Sequence, residues 1–501
     1  MGTLHEHNPS LWASDAGGET YPSLEGDRRC DVVVVGAGIA GLTLARLLVD
    51  AGTDVVVIDA GPVCAGATGY TTAKVTALHR LVYRELVDRH GEERARAYAE
   101  ANQAAVEQVA AIAAGDGIDC DLARAPALTY TQRNEHVADI EAEAAAAQRL
   151  GLPVEVTTDS TLPYPIEAAV RLAGQLHFHP RRYCLGLAGA IAARGGAVHE
   201  QTRARDVTTG SSGVAVSIGD ATITADRVVL ASHLPFLDRG GFFARAHPQR
   251  SYALAARLRG PAPAEMVISA EEPTRSVRPA PGDRVIVGGE GHKTGHDPDT
   301  PRRYAALEAW TQAVFDVETI DYGWSTQDYE TVDGMPYVGR LTRRDDRVLV
   351  ATGFRKWGMT NGTAAAHLLA DTLLGRDNPW ADAFDATRLA PRASIAELVR
   401  ANADVARRFV GDRVATLRAR PAAALRAGEG GVVRHDGTNI AAFRDDARTL
   451  HAVSATCTHL GCRVTFNPAE RSWDCPCHGS RFDVEGRVLE GPAVRDLTPE
   501  S

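Results

Sequence analysis

The chain has 501 residues, 44% hydrophobic and 24% charged; this balance excludes a disordered protein and suggests about three folding units. Asp+Glu 64 against Lys+Arg 54 gives a net charge of -10, which disfavours a nucleic-acid binder, because that task needs a basic field to displace counterions. Val32-Val33-Val34-Val35 breaks at Gly36, far short of the roughly 20 residues of a membrane span, and Met1 to Asp27 holds no apolar signal core. A soluble, cytoplasmic protein is expected.

Residues 1–30 read as an irregular arm with Leu11, Trp12, Tyr21 and Leu24 as its anchors. A βαβ unit follows: strand Asp31–Val35, a tight turn over 36–41, helix Leu42–Ala51 and strand Val55–Asp59. Helices are predicted over Glu92–Ala114 and Asn134–Leu150, the second stopped by Gly151 and Pro153. Residues 180–258 mix helices with alternating strands such as Val214–Ile218. Further strands fall at Glu265–Ser269, Arg284–Gly288 and Arg347–Ala351, with helices at Arg302–Phe315 and Asn361–Leu374. Ser394 and Glu397 form a capping box ahead of apolar residues at helical spacing, which predicts a helical linker over 391–427. The last stretch, 428–501, is short strands broken by turns, a small all-β module.

Gly36-Ala37-Gly38-Ile39-Ala40-Gly41 matches G-x-G-x-x-G directly after a strand and opening a helix, the context that a dinucleotide loop requires. The first glycine permits the turn, the second lets a pyrophosphate approach the backbone, and the third lets the helix pack close to the strand. Free N–H groups and the positive dipole end of the helix then face the phosphates. Asp59, followed by Ala60, closes the second strand where a carboxylate takes the ribose hydroxyls. The loop alone does not separate FAD from NAD. Other segments do: Gly66-Ala67-Thr68-Gly69, Asp333-Gly334-Met335-Pro336-Tyr337-Val338-Gly339, and Ala351-Thr352-Gly353-Phe354 through Gly358, Met359, Thr360 and Gly362. With the glycine loop they resemble the D-amino-acid-oxidase-like family of FAD-dependent oxidoreductases over 31–390.

That resemblance implies an α/β FAD-binding domain (Rossmann-like, glutathione-reductase-type) with a mixed α+β substrate domain. It places Gly66, Ala67 and Thr68 beside the isoalloxazine ring, Gly353, Gly358, Met359 and Thr360 at a second flavin contact, and Val207 near the adenine. A single glycine fingerprint disfavours a separate nicotinamide site.

Four of the eight cysteines crowd near the C-terminus as Cys457-Thr-His459-Leu-Gly-Cys462 and Cys475-Pro-Cys477-His478-Gly-Ser480. In a reducing compartment such a set is more often a metal site than a disulfide framework. The spacing resembles a Rieske [2Fe–2S] centre, which implies Cys457 and Cys475 as thiolate ligands, His459 and His478 as imidazole ligands, and a Cys462–Cys477 disulfide. Gly491-Pro492-Ala493 resembles the loop that shields such a cluster. A Cys2His2 zinc site is the rival, but it leaves Cys462, Cys477 and Ser480 unexplained. High-potential relatives carry a tyrosine where this chain has Phe482. Together the two resemblances point to a flavoprotein with a C-terminal Rieske domain.

The cofactors implied, FAD and a [2Fe–2S] cluster, suggest a dehydrogenase that oxidises a small amine or amino acid and passes electrons from flavin to cluster to an acceptor that the sequence does not name. The alternatives are a reductase whose flavin is fed by a protein or nicotinamide partner, and a redox sensor without turnover. Arg355 is a candidate to pair with a substrate carboxylate, with Lys356 and Lys74 near the ring. Tyr322, Trp324 and Tyr329 are candidate pocket aromatics. Cys64 is either a flavin attachment point or a small buried thiol. His233 and His247 have no motif support.

Overall fold

A computed structural model of the chain describes residues 9–15, 17–211, 213–389 and 420–500, with 394, 395, 398–400, 402, 403, 405 and 407 between them. Its first sheet is built around the strand Arg28–Val35, flanked in parallel by Val55–Ile58 and Ala221–Leu230. Asp345–Thr352 extends the parallel order on one side and Ala197–His199 on the other. Val33, Val34, Val56 and Val57 are fully buried, because helices cover one face and the strands Asp206–Gly210 and Gly213–Ile218 with Leu234, Leu237 and Phe242 cover the other. The helices Ile39–Asp50 and Gly358–Leu373 share one core with this sheet. The central strand starts at Arg28, earlier than predicted, since Arg28–Cys30 pair with Ile223–Ala225. The helix starts at Ile39, so the second half of the glycine motif is already its first turn.

A second sheet runs in the order Val317–Thr331, Ala246–Leu258, Arg284–Lys293, Arg275–Ala280, Met266–Ser269, Ala123–Thr131, Ala168–His177 and Lys74–Val75. Its strands come from segments interleaved with those of the first sheet, so the substrate half is discontinuous in sequence. The helices Glu92–Gly115, Val137–Arg149 and Thr300–Val314 fall where periodicity places them, within a few residues. In the arm, Leu11–Asp15 is a single helical turn whose Leu11 and Trp12 pack against Tyr70, Ala73 and Trp324. Ser10 Oγ donates to the Gly69 carbonyl at 2.7 Å, and Trp12 Nε1 to the Thr71 carbonyl at 2.7 Å.

Of the predicted linker, Glu397 and 408–419 lie outside the described residues, and with Glu397 the capping box. Helix is assigned at the described positions from 398 to 407. Asn402 Nδ2 donates to the Ala244 carbonyl at 3.0 Å. Ala422 and Leu425 pack with Val433 and Ile440, so the end of that segment belongs to the small domain. That domain joins two antiparallel sheets: Gly430–His435, Thr438–Arg444 and Leu450–Ser454 in one; Thr465–Asn467, Ser472–Asp474, Arg481–Phe482 and Val488–Glu490 in the other.

The small domain packs tightly on the two-sheet body. Arg250, from the strand Ala246–Leu258, reaches Glu470 at 3.1 Å, with Asp474 and Glu490 at 4.0 and 3.9 Å. Arg481 binds the same three carboxylates from the other side. At Gly479 a Cβ would stand 2.6 Å from Pro248, and at Gly295 2.8 Å from the Pro476 backbone. Among the described residues no helix is long and apolar enough to cross a membrane.

Candidate redox site

The glycine loop closes on itself so tightly that side chains are excluded. Gly36 has a φ of +118°, and a Cβ there would stand 2.4 Å from the Ala231 carbonyl oxygen; at Gly41 it would stand 1.9 Å from the Gly36 carbonyl oxygen. The helix Ile39–Asp50 begins after Gly38 with no side-chain cap, so its first turn presents N–H groups to an anion. Thr68 Oγ1 accepts from the Ile39 N–H at 3.2 Å and ties the segment 66–69 to this turn. Asp59 accepts from the Ala37 N–H at 2.7 Å and the Gly61 N–H at 2.8 Å. Burial pushes its carboxyl pKa up, against the pull of those two donors.

These residues line one cavity of about 1640 Å³. That exceeds the roughly 300–1,000 Å³ of a drug-sized pocket and leaves room for a dinucleotide with a small substrate. Gly36, Gly38, Ile39, Ala40, Asp59, Ala60, Gly66, Ala67, Thr68, Gly358 and Met359 are on its wall. A second uncapped helix start, Gly358–Leu373, opens into the same space.

Gly41, Gly353 and Thr360 stand behind the wall. At Gly353 a Cβ would meet Thr331 at 2.2 Å, and Thr360 Oγ1 pairs with His79 Nε2 at 3.0 Å. Val207 is not a wall residue either. Its side chain packs in the core with Val214 and Val216, its carbonyl accepts from Arg239, and Arg203–Arg205 line the cavity there instead.

Lys74, Arg355 and Lys356 all line the cavity. Lys74 Nζ is buried against the Val267 carbonyl at 2.5 Å and Ser276 Oγ at 2.6 Å. Burial, and secondarily Arg278, holds its pKa well below the usual lysine value. Arg355 is already engaged, donating to the Gly334 carbonyl at 3.0 Å and to Glu85 at 3.3 Å. A substrate carboxylate paired with Arg355 would therefore share the guanidinium with Glu85. Lys356 Nζ stands 3.8 Å from Glu330.

The aromatic expectation is corrected. Trp324 packs on the arm, Tyr322 stands beside it in that cluster, and Tyr329 turns toward the small domain. The Cys64 thiol is buried at the cavity wall, 3.9 Å from the Pro180 carbonyl. His79 was missed by sequence reasoning. It lines the cavity, stacks on Trp357 at 4.6 Å, and burial drives its pKa down to about 3. His233 also lines the cavity, with Asp328 at 3.1 Å and Glu490 at 4.0 Å. Its place just past the strand Ala221–Leu230, beside the glycine loop, is a signal that the switch-point rule for parallel sheets supplies.

The cysteine–histidine cluster rests on two loops of one design. Cys457 N–H donates to the Cys462 carbonyl and Cys475 N–H to the Ser480 carbonyl, both at 2.8 Å. Gly461 and Gly479, with φ of +76° and +79°, return N–H bonds to Cys457 and Cys475, each at 3.0 Å. A disulfide joins Cys462 to Cys477 across the loops. Cys475 Sγ lies within 4.8 Å of both disulfide sulfurs, but those two are bonded to each other and cannot serve as thiolates. Cys457 and Cys475 are free and buried. The rings of His459 and His478 stand 5.1 Å apart at 88°, and both Nδ1 atoms are buried without a hydrogen-bond partner. Two free sulfurs and two orphaned ring nitrogens are the donor set of a Rieske [2Fe–2S] cluster. Ser480 Oγ accepts from the Ala493 N–H at 3.0 Å, tying the shielding loop to the cluster loop.

A dinucleotide cavity in a doubly covered parallel sheet, joined to a two-loop Cys2His2 iron–sulfur site, defines a flavoprotein oxidoreductase with a Rieske domain. The family model for FAD dependent oxidoreductase matches residues 31–372, and that for the Rieske [2Fe-2S] domain matches residues 416–499. The chain belongs to the FAD-dependent oxidoreductase family, with FAD and a [2Fe–2S] cluster as its cofactors.

YhfW of Bacillus subtilis (strain 168), named as a Rieske 2Fe-2S iron-sulfur protein, is 36% identical over 97% of this chain and 96% of its own length. The cytochrome b6-f complex iron-sulfur subunit 1 of Nostoc sp. (strain PCC 7120) is 45% identical over 65 residues, 13% of this chain and 36% of that protein. In fold, the chain is similar to glycine oxidase from Geobacillus kaustophilus, with a TM-score of 0.62 and 20% identity over 72% of this chain and 99% of that one. It is also similar to L-proline dehydrogenase from P. horikoshii, with a TM-score of 0.61 and 17% identity over 72% and 98%.

Proposed function

We propose that the protein is a dehydrogenase of a small amino acid or amine whose electrons leave the flavin singly through the Rieske cluster to a one-electron acceptor. The observation that carries this reading is a shared wall: Glu490, Gly491 and Ala493 of the small domain line the same cavity as the dinucleotide loop. FAD held by the glycine loop would supply a hydride acceptor, and a cluster held by Cys457, His459, Cys475 and His478 would supply a one-electron carrier. The fold neighbours named glycine oxidase and L-proline dehydrogenase support the amino-acid class.

The chain's own residues do the rest. Lys74 stands on the cavity wall with burial favouring its uncharged amine, which suits it to accept a proton from a substrate ammonium. Lys356 and Arg355, which line the same cavity beside Glu330 and Glu85, are the cations offered to a substrate carboxylate. Arg355 holds its loop to Glu85. Tyr329, whose hydroxyl donates to the His478 carbonyl at 2.9 Å, keeps the cluster loop against the cavity wall.

Anaerobic titration with amines and amino acids, beside NADH and NADPH, tests the reading. Bleaching of the flavin by an amino compound is expected. Bleaching by a nicotinamide alone would replace the dehydrogenase with a reductase. Cys475→Ser should leave substrate bleaching intact and sharply slow transfer to a one-electron acceptor; unchanged transfer would remove the cluster from the path.

A further inference from the structure

The strand Ala221–Leu230 ends beside Gly36, and the chain continues from it along the cavity through His233 and Leu234 to the small domain. At Asp238 it turns, with the Gly241 N–H donating to the Asp238 carbonyl at 3.1 Å, and enters the short helix Phe242–Arg245. Two side chains of this segment meet the histidine ligands. Asp238 Oδ1 stands 2.9 Å from His459 Nε2. The ring of Phe243 lies edge-on to both imidazoles, 5.4 Å from His478 and 6.2 Å from His459. The His459 side chain is 5% exposed, so the imidazole edge of the cluster is turned onto the flavin body.

We propose that Asp238 is the positioning residue of this junction: it holds the His459 ring with Nδ1 toward the cluster, and its charge keeps the cluster's reduction potential low. This rests on the cluster assignment. Each ring nitrogen has one task. With Nδ1 as the ligand atom, Nε2 carries the hydrogen, and a carboxylate can only accept it, so the contact fixes both tautomer and ring orientation. A carboxylate bonded to a ligand imidazole makes that ligand more basic, and its negative charge opposes the electron that reduction adds. Both effects favour the oxidised cluster. The same contact belongs to the flavin body, so the potential of the cluster is set by how the two domains dock.

The test is an EPR-monitored redox titration of the full-length, cofactor-loaded protein and two variants. Asp238→Asn keeps an acceptor oxygen and removes the charge, whereas Asp238→Ala removes both. The midpoint should rise in Asn and rise further in Ala, by at least severalfold in the reduced-to-oxidised ratio at a fixed potential, a tenfold change being about 59 mV for one electron. Broadened Rieske g-features in Ala but not in Asn would report the loss of ring orientation. Unchanged midpoints, with iron content and a Rieske spectrum retained, overturn the proposal. A wild-type protein that holds iron but shows no Rieske spectrum overturns the cluster assignment itself and this inference with it.

Discussion

Replacing Arg250 by methionine tests whether charge holds the seam between the two bodies. Arg250 is 0% exposed and Glu470 3%, and the group to which they belong carries two guanidiniums, Arg250 and Arg481, against three carboxylates, Glu470, Asp474 and Glu490. Arg250→Met leaves one guanidinium for the same three carboxylates. Removing one partner from a buried pair costs about 3–5 kcal/mol, because the opposite charge remains desolvated. At a slope of about 3 kcal/mol per molar urea, the transition that opens the seam moves down by about 1–1.7 M. Visible circular dichroism of the cluster and flavin fluorescence follow the two bodies separately in one titration. Arg250→Met combined with Glu470→Gln removes one charge of each sign and should recover part of the loss, since contacting residues are not additive. A loss below about 1 kcal/mol, the scale of a solvated surface pair, refutes the reasoning. So does an equal loss in the Glu470→Gln background.

Gly41→Ala forces a methyl group onto the Gly36 carbonyl oxygen, 1.9 Å away, and should yield protein that retains its Rieske spectrum but has lost its FAD; retained flavin absorbance would show that the loop yields at no cost. Phe482 is fully buried beside Trp473, so a hydroxyl added there has no water to meet. Phe482→Tyr should raise the cluster midpoint by tens of millivolts, on the order of 59 mV per 1.4 kcal/mol of preference for the reduced state; film voltammetry that finds it unchanged or lower denies the added donor. His79 titrates near 3 in the folded protein, through burial first and Arg355 second, and near 6.5 when unfolded. Between those values the unfolded chain binds the extra proton, so this group removes up to about 1.4 kcal/mol of stability per pH unit as pH falls below about 6.5. His79→Gln should flatten that part of the acid-unfolding curve, and an unaltered slope would mean that the ring is already charged in the native state.

What could be read from the sequence was chemistry confined to short spacings. Gly36 to Gly41 and the C-x-H and C-x-x-H loops must place atoms within a turn or two, so residue order alone carries their geometry. The helices Glu92–Gly115 and Val137–Arg149 were equally legible, since their periodicity reports one buried face. Val317–Thr331 was not read as a strand, and its two faces meet different neighbours: Trp324 packs on the arm and Tyr329 on the cluster loop rather than on the cavity. Glu85 could not be read as a partner of Arg355, because the two are 270 residues apart in sequence. Asp238 and Arg250 were invisible for the same reason, as each acquires its role when the Rieske domain docks.

Pro9 and Ala13 line the cofactor cavity, and so do Arg487, Val488 and Asp496. One compartment is therefore walled by residues far apart in sequence, from Pro9 to Asp496. The glycine loop precedes the Rieske domain in the chain, so the compartment it serves stays open on one side until Val488–Glu490 has folded against it. Flavin captured before that moment would sit in a half-built room. Firm flavin retention would thus report that the Rieske domain has docked.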